Sequence, residues 1–284
     1  MSDQRLPEWV TNRRRDPDSI HEIKRMLRGK KLHTVCESAK CPNLGECFSR
    51  KTATFMILGN NCTRDCAFCA VDHDQPGPVD PEEPQRIMEA ARELGLHHAV
   101  ITSVTRDDLP DNGSRQFAAC IDFLREEVDG TTIEVLTPDF QGDREAIQRV
   151  VEAGPDIYNH NLETVQRLYP KVRSSAHYQR SLDLLFHVKR CSPNLLTKSG
   201  IMVGLGERED EVIALLRDLR DVGCDLVTIG QYLRPGKKNL AVQEYIPVEQ
   251  FKRYEEIGTE LGFQQVMSGP LVRSSFHAEE MLAS

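Results

Sequence analysis

The sequence predicts an α/β fold built on a parallel sheet, and three observations carry that expectation. From residue 54 onward, short apolar runs alternate with segments whose apolar residues recur at helical spacing, six times in a row. Glycine closes several of the helical segments, as at Gly95. A loop with three cysteines directly follows the first apolar run. Alternation of this kind builds a parallel sheet with helices outside. Six units either close partly into a barrel or lie open as a doubly wound sheet, and periodicity does not choose between them. In both, chemistry belongs at the C-terminal ends of the strands.

The elements follow in order. "TFMIL" (54–58) is the first strand, followed by the helix "PEEPQRIMEAARELG" (81–95). "HAVITSV" (98–104) precedes "SRQFAACIDFLREEV" (114–128), and "TIEVLT" (132–137) precedes "DREAIQRVVEAG" (143–154). "DIYNH" (156–160) precedes "AHYQRSLDLLFHVKRC" (176–191). "SGIMVGLG" (199–206) and "DLVTIGQYL" (225–233) precede helices at 208–223 and 248–262, and "QQVMSGPL" (264–271) ends the series. Three regions result: an N-terminal extension (1–53) with a helix over 18–29, a core of βα units (54–262), and a C-terminal extension (263–284).

Composition narrows the function. A net charge of −8 argues against a dedicated nucleic-acid binder. No apolar run approaches the ~18 residues of a membrane span. Acidic residues surround Arg13–Arg15, unlike a transit peptide, and the expected location is cytoplasmic. Nine cysteines in such a chain point to metal or redox chemistry, because a reducing compartment keeps thiols free. Six of them lie between Cys36 and Cys69; Cys120 and Cys224 read as buried core thiols.

Cys62, Cys66 and Cys69 form a C-x3-C-x2-C pattern. Cubane iron–sulfur clusters are usually held by four thiolates. Three leave one iron open, as a catalytic metal site leaves room for substrate. A zinc site completed by a distant residue, with His73 in reach, fits the same spacing. Phe68 favours a cluster, whose potential is tuned by apolar shielding. Upstream, Cys36, Cys41 and Cys47 form C-x4-C-x5-C, a second three-thiol set or a zinc knuckle.

"CTRDCAFC" resembles the signature of radical S-adenosylmethionine enzymes, in which the open iron chelates the cofactor's amino and carboxylate groups. With the upstream set, and with "SVTRDDLPDNGS", "YNHNLETV", "GQYLRP" and "GPLVRSSFHAEE", the chain resembles the lipoyl synthase family from about residue 30 onward. The resemblance implies a partial (β/α)6 parallel barrel, two 4Fe-4S clusters and S-adenosyl-L-methionine. It implies insertion of two sulfur atoms at C6 and C8 of a protein-bound octanoyl-lysine, the sulfur coming from the second, auxiliary cluster. It further implies that Cys36, Cys41, Cys47 and a serine of "RSSF" hold that cluster, with Ser275 favoured over Ser274. A serine oxygen is a harder, more weakly matched ligand than thiolate and is suited to leaving.

By the same resemblance, Thr102, Ser103, Asn159, Asn161, Glu163, Arg173 and Gly204 contact S-adenosylmethionine, and Glu207 caps the following helix. The family's partners are octanoylated lipoyl-carrier domains (dehydrogenase E2 subunits and the glycine-cleavage H protein), an electron donor such as flavodoxin or ferredoxin, and an iron–sulfur carrier. Lys30–Lys31 and Lys237–Lys238 are candidates for steering an acidic carrier. The competing classes are another radical enzyme with an auxiliary cluster, such as a tRNA methylthiotransferase or a peptide maturase, and a non-catalytic electron-transfer or zinc protein.

Overall fold

A computed structural model describes residues 17–38, 41, 43, 47 and 54–275. Helix α1 (Pro17–Gly29), strand β1 (His33–Thr34) and the short helix α2 (Val35–Ser38) make up the described N-terminal extension. The repeat then runs β2 (Thr54–Ile57), α3 (Glu83–Leu94), β3 (His98–Ser103), α4 (Ser114–Glu127), β4 (Thr132–Leu136), α5 (Arg144–Glu152) and β5 (Ile157–Asn159). It continues through α6 (Tyr169–Val172), α7 (Tyr178–Cys191), β6 (Leu196–Val203), α8 (Glu209–Asp221), β7 (Leu226–Gln231), α9 (Val248–Glu260) and β8 (Gln265–Gly269). The expected strands and helices are all present, with ends shifted by a few residues. β1 lies outside the apolar periodicity, because two residues are too few to show a pattern.

The eight strands hydrogen-bond in chain order. β2 to β8 are parallel, and β1 pairs antiparallel with β2, Thr34 opposite Phe55. β1 and β8 are the two edges, so this is an open, partial barrel. Side chains alternate between its two faces. The outer face carries Phe55, Ile57, Ile101, Val135, Tyr158, Val227 and Ile229, packed in one core with the helices. From the helices come Ile87, Phe117, Ile121, Ile147, Leu185, Leu216 and Phe251. Burial of this amphipathic set, at roughly 25 cal/mol per Å², is what drives the layers together.

The inner face differs. Near the strand starts, Ile157 and Leu226 pack with Leu196 and Met267 in a small separate cluster. Beside them lies a buried polar group. Lys198 Nζ sits 3.0 Å from Glu134 Oε2, and both side chains are 0% exposed. His98 Nε2 lies 3.3 Å from the same oxygen, and Asn159 Nδ2 donates to Glu134 Oε1 at 2.8 Å. Burial alone would raise the Glu134 pKa; Lys198, His98 and Asn159 outweigh it and hold the carboxyl down to about 2.

Candidate active site

The cysteine loop 62–69 leaves the C-terminal end of β2, on the rim where the fold places chemistry. It is fixed from several sides. Cys62 N donates to Asp72 O, Ala67 N to Val172 O and Leu240 N to Ala67 O. Asn239 Nδ2 donates to Cys69 O at 2.6 Å. Arg64 is buried; its Nε and Nη2 donate to Asp107 at 2.6 and 2.9 Å, and Nη2 also donates to Asp139 Oδ1 at 2.6 Å. Asp139 is opposed by burial but held down to about 2 by Arg64. The loop after β2 is thereby tied to the loops after β3 and β4.

The three thiols share one environment. Burial is the main cause that brings Cys66 up to about 11 and Cys69 up to about 12, with the neighbouring thiols and Glu163 acting in the same direction. Metal binding would draw Cys66 and Cys69 into the thiolate form at neutral pH. Backbone N–H groups of Arg64 and Thr105 donate to Cys62 Sγ at 3.5 and 3.3 Å, the kind of contact that tunes a cluster's potential. His73 is turned to Asp65, 3.2 Å away, which removes the expected partner of the zinc alternative from that role.

Beyond β5 the predicted residues converge only in part. Asn161 Nδ2 donates to Glu163 Oε1 at 3.1 Å, and Arg173 Nη1 donates to Asn161 O at 2.8 Å. Burial raises the Glu163 pKa, and its backbone takes a left-handed φ of 66°, rare for a side chain of this kind. The Arg173 charge acts on both Glu163 and Cys66, linking this cluster to the thiols. Asn161 Oδ1 and Arg173 Nε are buried without partners. A Cβ on Gly200 would lie 2.7 Å from Asn161 Oδ1. Unpaired polar atoms over a crowded glycine beside three thiols fit a polar cofactor with amino and carboxylate groups.

Other predicted contacts are engaged elsewhere. The Thr102 hydroxyl donates to Leu136 O at 2.8 Å and serves the sheet. Ser103 lies on the outer register face with Ile101, its buried hydroxyl unpaired. Asn159 belongs to the Glu134 group. Space above Gly204 is filled by Gln231 Nε2 and Glu244 O, which a Cβ would meet at 2.1 and 2.5 Å, so loop packing accounts for the glycine. Glu207 does not cap α8; it accepts from Gly204 N and Leu205 N, while Glu211 accepts from Arg208 N at the helix start.

The second cysteine set lies at the other end of β2. Cys41 N donates to Cys36 O and Cys47 N to Asn43 O. Burial pushes Cys36 up to about 12, opposed by hydrogen bonds from the backbone and hydroxyl of Thr54. The Thr54 hydroxyl also donates to Ser275 Oγ at 2.9 Å, so one side chain touches a thiol of the N-terminal extension and a hydroxyl from the C-terminal one. Asn43 Nδ2 donates to Leu271 O at 2.7 Å, joining the same two extensions. Ser274 faces away, accepting from Asn161 Nδ2 at 2.7 Å. Phe276, the last residue of the "RSSF" motif, lies outside the described residues.

Comparison with known proteins decides among the classes. The radical SAM superfamily model matches residues 56–219. The lipoyl synthase of Caldanaerobacter subterraneus is 60% identical over 275 residues, covering 97% of this chain and 96% of that protein. That of Rubrobacter xylanophilus is 56% identical over 274 residues, covering 96% and 85%. The chain belongs to the lipoyl synthase family. Its activity is the family's radical insertion of sulfur into a carrier-borne octanoyl chain, with S-adenosylmethionine and two 4Fe-4S clusters as cofactors. Among solved structures, the hydrogenase maturase HydG has a TM-score of 0.59 at 16% identity, covering 91% of this chain and 58% of that one. Methylornithine synthase has a TM-score of 0.51 at 17% identity, covering 78% and 73%. Both support the partial barrel alone.

Sequence reasoning missed Thr54, Arg64, Asp107, Asp139 and the Glu134–Lys198 pair. Arg64 sits inside the signature, and its position between two ligands was the available signal. The acidic partners come from the loops after β3 and β4, which meet Arg64 only once the sheet has formed.

Proposed function

We propose that Cys62, Cys66 and Cys69 hold the radical-generating cluster, and that Cys36, Cys41, Cys47 and Ser275 hold the cluster that donates sulfur. The Thr54 contacts to Cys36 and Ser275 carry this reading, because they bring together side chains 239 positions apart at a site of thiol and hydroxyl donors. When bound, the first cluster and S-adenosylmethionine supply hydrogen-atom abstraction at unactivated carbon, and the second supplies the sulfur. Asn161 and Glu163 offer acceptors to the cofactor's amino group, and Arg173 Nε offers a donor to its carboxylate. Thr102, Asn159 and Gly204 act behind them, through the sheet and the loops they hold.

β2 spans the distance between the two cysteine sets. At about 3.3 Å per residue, Thr54 to Ile57 spans roughly 10 Å. An octanoyl chain lying along this strand has one end near each set, and the partly buried Phe68 adds apolar surface. Carriers of the octanoyl chain are dehydrogenase E2 subunits and the glycine-cleavage H protein. The electron donor is a flavodoxin or ferredoxin, an iron–sulfur carrier rebuilds the donor cluster, and the enzyme works in the cytoplasm. Among the described residues no helix is long and apolar enough to cross a membrane.

Exposed Lys237 and Lys238 flank Asn239, which braces the radical loop, so an acidic carrier bound there lies beside the rim. Lys30 is less suited, being paired with Glu89 and Glu93 at 3.5 and 3.2 Å. The test of the ligand assignment is Ser275→Ala in protein reconstituted with ⁵⁷Fe. Loss of one oxygen-ligated iron signal, with the other cluster unchanged, is expected. An unaltered spectrum removes Ser275 from the ligand set.

A further inference from the structure

The C-terminal segment 271–275 crosses the inner face of the sheet, and two glycines make room for it. A Cβ on Gly230 would lie 2.1 Å from Val272 O and 3.1 Å from Arg273 Nη1. A Cβ on Gly200 would lie 2.7 Å from Ser274 Oγ and 2.9 Å from Thr228 Oγ1. Gly200 pairs with Thr228 in register, so the glycines stand on neighbouring strands and on the same face. Only residues without a side chain allow backbone and hydroxyl groups this close. The segment turns at its end: Ser274 accepts from Asn161 Nδ2 at 2.7 Å, and Ser275 accepts from Thr54 Oγ1 at 2.9 Å. Upstream, Val272 N donates to Gly269 O at 3.1 Å, and Leu271 O accepts from Asn43.

We infer that Ser274 is a positioning residue: seated in the Gly200–Gly230 groove and held by Asn161, it fixes the turn that presents Ser275 to Cys36. The inference rests on the proposed ligation by Ser275. It gives the two adjacent serines different work. Ser275 faces the thiols of the N-terminal extension. Ser274 faces the cluster of Asn161, Glu163 and Arg173 beside the other cysteine loop. Without the Ser274 anchor, the backbone bonds at Leu271 and Val272 still hold the start of the segment, but the turn at 274–275 loses its side-chain tether to β5.

The experiment uses the full-length chain. Amide hydrogen exchange over 271–275 is followed in the metal-free protein, and Mössbauer spectra are recorded after anaerobic reconstitution with ⁵⁷Fe. Ser274→Ala should lower protection of this segment by about ten-fold, the effect of losing one hydrogen bond. It should also weaken the oxygen-ligated iron signal, and Ser274→Thr, which keeps the hydroxyl, should restore both. Gly230→Ala should give the same two losses with both serines present, while S-adenosylmethionine cleavage continues. Should Gly230→Ala not fold, the Ser274 pair decides. Unchanged protection and an unchanged iron signal in Ser274→Ala overturn the inference. If Ser275→Ala removes the signal but Ser274→Ala does not, only the positioning role falls. If Ser275→Ala leaves the signal intact, the ligation reading itself has failed.

Discussion

The two cysteine sets are built on opposite terms. Cys62, Cys66 and Cys69 fall within eight residues and are locked by groups from the loops after β3, β4 and β7 and from α6. Cys41 is joined to Cys36, and Cys47 to Asn43, by local backbone bonds, and the set meets the barrel and the C-terminal segment through Thr54 and Asn43. The first set is braced by loops and a helix of the barrel; the second is joined to segment 271–275. A centre used in every turnover needs fixed geometry and a stable potential. On the proposed assignment the second set holds the centre that gives up sulfur, and ties through Thr54 and segment 271–275 let it open and be refilled at small cost to the barrel.

The sharpest way to break this comparison is to loosen the first set. Arg64→Met removes the cation between Asp107 and Asp139 and leaves buried Asp139 with Arg180, 3.3 Å away, and the Gln141 N–H. Removing one partner of a buried pair costs about 3–5 kcal/mol. S-adenosylmethionine cleavage and sulfur insertion should both fall by about 100-fold or more, and iron should drop from about eight to about four per chain. Deoxyadenosine release and iron analysis read the two effects. Full cleavage activity in Arg64→Met would mean that the loop holds its cluster without the clamp.

Loosening the second set should do less. Cys41→Ala should also leave about four irons, yet cleavage of S-adenosylmethionine should persist within a few-fold while lipoyl product disappears. Loss of both activities would show that the two sets are one structural unit.

The unequal bracing was only half legible in the sequence. The cysteine spacings, the βα alternation and the "RSSF" serines could be read directly, because each is local and carries its own chemistry. That the two serines meet different partners, Ser275 at Thr54 and Ser274 at Asn161, is visible only in space. Thr102 and Gly204 carry structural roles that the sequence does not show. A hydroxyl at a strand end can bond the next strand, and a glycine can serve loop packing rather than a ligand. Glu134 and Lys198 stand 64 positions apart on different strands, so no window of sequence pairs them.

That buried pair lies on the inner face near the strand starts, level with Thr54, and sharpens the comparison through pH. The Glu134 carboxyl is held near 2, below its ordinary 4.5. A depressed carboxyl contributes stability that is complete above 4.5 and is lost as pH falls toward 2. In the metal-free protein, Glu134→Gln should lower stability at neutral pH by about 3 kcal/mol. The difference from the parent should shrink across that acid window, as followed by circular dichroism. A constant gap from pH 7 to pH 2 would assign the loss to packing instead.

The smallest expected effect concerns where the carrier approaches, and it asks whether the braced set is also the docking side. Lys237 and Lys238 are exposed on the loop whose Asn239 holds Cys69. Lys237→Glu with Lys238→Glu changes four units of charge while leaving the backbone bonds of Arg234 and Asn239 in place. Exposed charges act mainly on encounter and are screened within a Debye length of about 8–10 Å at ordinary salt. KM for an acidic octanoylated carrier should therefore rise about ten-fold at low ionic strength and return toward the parent value as salt is added. kcat and the reaction of a short octanoyl-lysyl peptide should not change, because neither depends on steering a charged domain. An unchanged KM at low salt would move the docking face away from the radical loop, and the carrier would then have to approach from the side closed by the chain ends.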